Sequence, residues 1–110
     1  MSDDSDPCDC EDFPPYDLPE GALVRELRIV NRKGLHARAT AKFVRCVDQF
    51  DAAVRVGRCG EMVGGTSIMG ILTLGAGLGM TITVAATGKD AQQALDAIEA
   101  LVADRFGEDE

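Results

Sequence analysis

Between Leu23 and Val30 apolar and polar residues alternate: Leu23, Leu27 and Ile29 fall on one side, Glu26 and Arg28 on the other. That period of two is the pattern of a strand covered on one face. After the turn Asn31-Arg32-Lys33-Gly34 the spacing changes. Ala39, Phe43, Val47 and Phe50, with Thr40 and Val44 beside them, recur at helical intervals and predict a helix from Ala37 to Gln49. Ala53 to Val56 and Glu61 to Val63 read as short antiparallel strands joined by Gly57-Arg58-Cys59-Gly60. Gly64-Gly65-Thr66-Ser67 then leads into Ile68-Met69-Gly70-Ile71-Leu72, with a hydroxyl residue where a helix is capped and Gly75 to close it. Met80, Ile82, Val84 and Ala86 alternate with Thr81, Thr83 and Ala85 in a further strand. Asp90 and Gln93 have the spacing of a capping box, and the stripe Ala94, Leu95, Ile98, Leu101 and Val102 predicts a last helix from Ala91 to Phe106.

The resulting order is β-α-β-β-α-β-α, with strands that are polar on one face. This predicts an α+β fold, an open-faced two-layer sandwich in which a four-stranded antiparallel sheet carries three helices on one face. With 110 residues the chain has room for one core. Residues 1–22 combine acids with Pro7, Pro14, Pro15 and Pro19 and read as a flexible extension, residues 23–107 as the folded domain, and residues 108–110 as an acidic tail. No long uncharged apolar run and no basic leader is present, so a cytoplasmic location without membrane insertion is the expectation, and the chain is separately expected to be a monomer.

The formal charge of −8 comes from the ends of the chain. Residues 1–22 hold eight acids and no base, whereas residues 23–107 hold eleven bases against eight acids. Within residues 25–45, Arg25, Arg28, Arg32, Lys33, Arg38, Lys42 and Arg45 face only Glu26. Such a segment either forms a solvated helix face or attracts an anion or an acidic surface. Four cysteines without a secretion signal suggest reduced thiols. Cys46 and Cys59 read as ordinary small residues, and Cys8 and Cys10 make an incomplete metal site, so neither a metal nor another cofactor is expected.

His36, the only histidine, stands between the glycine-containing turn and the start of the first helix. Its ring would lie beside the unpaired N–H groups and positive end of that helix. Arg38 can bring a fork of donors to the same place, with Arg32 and Lys33 adding positive potential. Positive surroundings also disfavour imidazolium and favour a neutral ring, whose nitrogen can attack phosphorus. Phosphoryl transfer depends on positioning and charge stabilisation, so a histidine, a helix terminus and an arginine suffice for a carrier. The alternative is a histidine that merely caps or packs at the helix start.

Gly34-Leu35-His36-Ala37-Arg38 resembles the active-site signature of the HPr phosphocarrier family of the bacterial phosphotransferase system. Phe43-Val44, Thr66-Ser67-Ile68-Met69, Thr73-Leu74-Gly75 and Gly79 fall at family spacing, so the resemblance covers about residues 23–106. It implies that His36 is phosphorylated, on one or other ring nitrogen, by the phosphoenolpyruvate-dependent enzyme I, that Arg38 assists, and that the group passes to a IIA-type protein. In many relatives the serine matching Ser67 is phosphorylated by a dedicated kinase, which implies an HPr kinase/phosphorylase as a further partner. The plain reading of Ser67 is a helix cap. Ala37, Ile68, Met69 and Ile71 are the expected partner-docking residues, and Leu72 the core residue of the short helix. One departure is Ala39, where the family pattern usually has proline. The alanine resembles carriers of the nitrogen-type regulatory branch more than those of sugar transport.

Two rivals are weaker. A nucleic-acid platform needs aromatics on its strands, and none of Phe13, Tyr16, Phe43, Phe50 and Phe106 lies in one. A small phosphate-ester or acyl-phosphate hydrolase could use His36 and Arg38 equally well, but it would release phosphate continuously, whereas a carrier holds one phosphoryl group.

Overall fold

The computed structural model describes Leu18 and residues 20–108. Most of the N-terminal extension, with Cys8 and Cys10, and the last two acids of the C-terminal tail lie outside the described residues. Four strands and three helices follow in chain order: β1 (Leu23–Arg28), α1 (Ala37–Val47), β2 (Ala53–Arg58), β3 (Glu61–Gly64), α2 (Ile68–Thr73), β4 (Thr81–Thr87) and α3 (Ala91–Ala103), with a closing 3-10 turn at Arg105–Gly107. The strands form one antiparallel sheet in the order β1-β4-β2-β3. The α+β open-faced sandwich expected from the sequence is the fold observed.

Register explains where the core sits. Leu27 pairs with Ile82, Val56 with Val84, and Val54 with Ala86. These residues share the face that the helices cover, and all are buried. From the helices, Phe43 and Val47 of α1 and Leu95, Ile98 and Val102 of α3 complete the core at three- and four-residue spacing. Each such side chain contributes about 1.5–3 kcal/mol on full burial. β1 continues irregularly beyond Arg28, because the Ile29 N–H donates to the Met80 carbonyl at 2.8 Å and the Ile29 carbonyl accepts from Gly79 N–H at 2.8 Å.

Several boundaries differ from the sequence reading. β2 runs on to Arg58, so the connection to β3 is a two-residue turn with Cys59 and Gly60 both left-handed (φ 54° and 83°), the geometry of a tight hairpin. Cys59 is disulfide-bonded, which corrects the expectation of a reduced thiol at that position. Cys46 is a free thiol, pushed up from its ordinary pKa by burial. α1 ends at Val47 instead of Gln49, and α3 ends at Ala103. Asp90 makes no side-chain cap to α3; its carboxylate accepts from the Asp51 N–H at 2.8 Å, tying the loop before β2 to the start of the helix. Arg25, counted above in the basic cluster, is held between Asp96 at 2.7 Å and Glu99 at 2.8 Å on α3. Its charge is spent on joining β1 to α3.

Among the described residues no helix is long and apolar enough to cross a membrane.

Candidate functional site at the start of the first helix

The loop before α1 is fixed by its backbone. Gly34 is left-handed (φ +68°), and a Cβ there would come within 2.5 Å of the Ala76 carbonyl oxygen and 2.7 Å of Gly77 Cα, so only glycine fits. Next to it the Leu35 N–H donates to the Ala76 carbonyl at 2.9 Å, and Leu35 itself is buried. Thr40, fully buried, donates its hydroxyl back to the Leu35 carbonyl at 3.2 Å. The loop is therefore clamped between the 76–77 segment and the first turn of α1.

His36 is the N-cap of α1. Its carbonyl accepts from Thr40 N–H at 2.8 Å, while its ring nitrogen Nδ1 accepts from the Arg38 N–H at 3.3 Å. A side-chain acceptor at this position satisfies one of the unpaired donors of the helix start. Here the acceptor is an imidazole lone pair, so Nδ1 is the ring nitrogen that faces the positive end of the helix. Ala37 and Arg38 are exposed on the first turn, and Lys33 is exposed on the loop. The ring is 27% exposed, open enough for a partner to reach it.

Its other nitrogen, Nε2, is in close contact with Glu108 Oε2. The second carboxylate oxygen accepts from Asn31 Nδ2 at 3.1 Å, and the same amide donates to the Gly34 carbonyl at 2.9 Å. The hydrogen bond with His36 above all, then that from Asn31 and the positive charges of His36 and Lys33, hold the Glu108 carboxyl below its ordinary value despite some desolvation. Sequence reasoning missed both residues. Asn31 was read as a turn residue, although it is wholly buried, and Glu108 as part of an acidic tail. Nothing in local spacing links two positions 77 residues apart.

Ser67 caps α2: its Oγ accepts from Gly70 N–H at 3.1 Å, and it is exposed. A Cβ on Gly70 would meet Ser67 Oγ at 2.8 Å and Val63 Cβ at 3.0 Å, so the cap needs glycine there. Of the expected docking residues, Ile68 (44%) and Met69 (70%) are exposed. Ile71 is not; it is fully buried and belongs to the core, while Leu72 is half-buried, so the two are corrected against each other. Six helical residues are too few for spacing alone to fix which side faces inward. Leu78, unremarked in the sequence, is a further exposed apolar residue (55%), next to the 76–77 segment that clamps Gly34. Among the described residues no group of three His, Cys, Asp or Glu side chains could hold a metal ion.

Comparison with known proteins identifies the family. The family model described as "PTS HPr component phosphorylation site" matches residues 23–104. The chain is 47% identical over 88 residues to the phosphocarrier protein HPr of Cupriavidus necator, covering 80% of this chain and 99% of that one. It is 42% identical over 86 residues to the phosphocarrier protein NPr of Shewanella violacea, covering 78% and 94%. Among solved structures, HPr from Thermoanaerobacter tengcongensis superposes with a TM-score of 0.77 at 34% identity, over 80% of this chain and 99% of that one. HPr from Bacillus anthracis gives 0.72 at 35%, over 76% and 99%. The chain belongs to the HPr family of phosphocarriers of the phosphotransferase system.

Proposed function

We propose that His36 accepts a phosphoryl group from enzyme I, charged by phosphoenolpyruvate, and passes it to a IIA-type acceptor in a sugar-transport or nitrogen-type relay. The observation that carries this reading is the His36 ring acting as N-cap, with Nδ1 turned toward the start of α1. The Nδ1 lone pair forms the N–P bond as the bond from phosphorus to the donor breaks, and onward transfer reverses the step. The new phosphoryl oxygens meet the N–H groups of the first turn and, with a side-chain rotation, the Arg38 guanidinium. Each exposed charge at a helix terminus contributes only about 0.3–1 kcal/mol, which steadies the group without trapping it.

Ile68, Met69, Leu78 and Ala37 form the surface on which both partners dock, with Lys33 and Arg38 favouring acidic partner surfaces. Ser67 is a second, regulatory phosphorylation site for an ATP-dependent kinase. The protein acts as a monomer in the cytoplasm.

Incubation with enzyme I and labelled phosphoenolpyruvate tests the relay. One acid-labile phosphoryl group per chain is expected, absent from His36→Ala. Label retained by His36→Ala, or phosphate released continuously without a stable phosphorylated chain, overturns it.

A further inference from the structure

We infer that Arg58 is a positioning residue: its guanidinium holds the C-terminal end of α2 and so sets where the Ile68 and Met69 patch stands relative to His36. The effect on partner docking rests on the function proposed above; the geometric part does not.

Helix α2 cannot close itself. It has six residues, none of them charged, so its own sequence brings no cation to the negative end of the helix. Directly after it the backbone tightens: the Leu74 N–H donates to the Ile71 carbonyl and the Gly75 N–H to the Leu72 carbonyl, both at 3.2 Å. These bonds leave the Leu74 carbonyl unused, and it accepts from Arg58 Nη1 at 2.9 Å. A charged donor on a helix-end carbonyl is stronger than a neutral one and also complements the helix dipole. The cation that α2 lacks is thus supplied by the last residue of β2.

The sheet aims this side chain. Arg58 has the parity of Val54 and Val56, whose side chains are buried under the helices, so it leaves the strand on the helix-covered side and is half-buried there. It stands opposite Glu61 at the close of the β2–β3 pair, immediately before the left-handed turn at Cys59 and Gly60. Its Nε atom is buried with no hydrogen-bond partner among the described residues. A buried unmet donor is destabilising, and an apolar residue at this inward position would avoid it. What the arginine adds is a hold on Leu74.

Leu74 lies between the two features that docking must bring together. On one side of it α2 presents Ile68 and Met69, 44% and 70% exposed. On the other, the Ala76 carbonyl accepts from the Leu35 N–H at 2.9 Å, and Gly34 packs against Ala76 and Gly77. The far end of this strip is tied by the Gly77 N–H to Met80 Sδ at 3.2 Å and by the Gly79 N–H to the Ile29 carbonyl at 2.8 Å. Arg58 ties the near end. A shift at Leu74 therefore moves the patch against the His36 loop without unfolding either.

The test compares the full native chain with Arg58→Met, which keeps the apolar stem and removes the donor, and with Arg58→Lys, which keeps the charge. In Arg58→Met the amides of Leu35, Leu74 and Gly75 should exchange hydrogen on the order of tenfold faster, the loss of one charge-assisted hydrogen bond, while those of Val84 and Ile98 in the core change less. The KM for phosphorylated enzyme I should rise several-fold with kcat less affected, and Arg58→Lys should recover part of both changes. Val102→Ala, a core truncation in α3, is the control for plain loss of stability: it should speed exchange throughout and leave KM at the native value. Native exchange rates at Leu35 and Gly75 in Arg58→Met overturn the proposal, as does faster exchange spread evenly over the core, or local loosening with an unchanged KM. The exchange readout needs no phosphorylation, so local loosening in a chain that enzyme I fails to label counts against the carrier reading alone.

Discussion

Two helix starts in this protein are capped by side chains, and they differ in what surrounds the cap. At α1 the acceptor is a ring nitrogen of His36, backed by Glu108 and Asn31 on its far side and flanked by exposed Lys33 and Arg38. At α2 the acceptor is the Ser67 hydroxyl, on a six-residue helix with no charged residue in Ile68–Thr73. Both starts offer N–H groups to an anion. Only the first has an imidazole nitrogen, with exposed Lys33 and Arg38 beside it and the Glu108 carboxylate on the far side of the ring. On the reading proposed above, a phosphoryl group on His36 would be met by the positive charge of Lys33 and Arg38, whereas one on Ser67 would add close to two negative charges beside the exposed Ile68 and Met69. The first site suits transfer. The second is the one proposed for regulation.

Breaking one start without the other tests this contrast. The largest expected effect is from Gly34→Ala: a left-handed residue with a Cβ driven into Ala76 should cost about 2 kcal/mol or more and displace the His36 loop. Denaturant titration measures the loss, and amide spectra should show α2 and its cap unmoved. Arg38→Ala should leave stability nearly unchanged, since Arg38 is exposed, yet slow phosphoryl uptake on the order of tenfold, with Arg38→Lys in between. An Arg38→Ala protein that is phosphorylated at the native rate would remove Arg38 from the site. Ser67→Ala should cost about 1 kcal/mol of stability, the usual value of an N-cap, and leave His36 chemistry intact. Ser67→Asp should keep the cap and most of the stability while weakening affinity for an acidic partner, as binding titrations at two salt concentrations would show.

The smallest effect separates the two starts by pH. Glu108 has a folded pKa below its ordinary 4.5, so its stabilising contribution is complete above that pH and is lost as pH falls through the lowered folded value. The stability difference between the native chain and Glu108→Gln should therefore shrink below pH 4.5, and no such acid-dependent difference should separate native from Ser67→Ala.

What could be read from the sequence were features carried by neighbouring residues. Alternation in Met80 to Ala86 and the stripe from Ala94 to Val102 gave strand and helix because burial follows those periods directly. The helix starts at His36 and Ser67 were legible because a helix start is a local event, whereas the chemistry expected of His36 and Arg38 came from the resemblance of Gly34-Leu35-His36-Ala37-Arg38 to a family signature. The close of α3 was not. Phe106 continues the apolar pattern and is buried, but it reaches the core through a left-handed turn, and periodicity reports burial without conformation. Asp90 had the spacing of a capping box, and competition from the Asp51 N–H took its carboxylate away. Glu108 and Asn31 reach His36 only through the tertiary fold, and the disulfide at Cys59 likewise has no local signal.

The most direct test of the central claim is where the phosphoryl group sits. With histidine labelled by nitrogen-15 and the chain charged through enzyme I and phosphoenolpyruvate, phosphorus-31 and nitrogen-15 spectra should show a single phosphoryl group bonded to Nδ1 of His36. A phosphoryl group on Nε2, or on any residue other than His36, would contradict it.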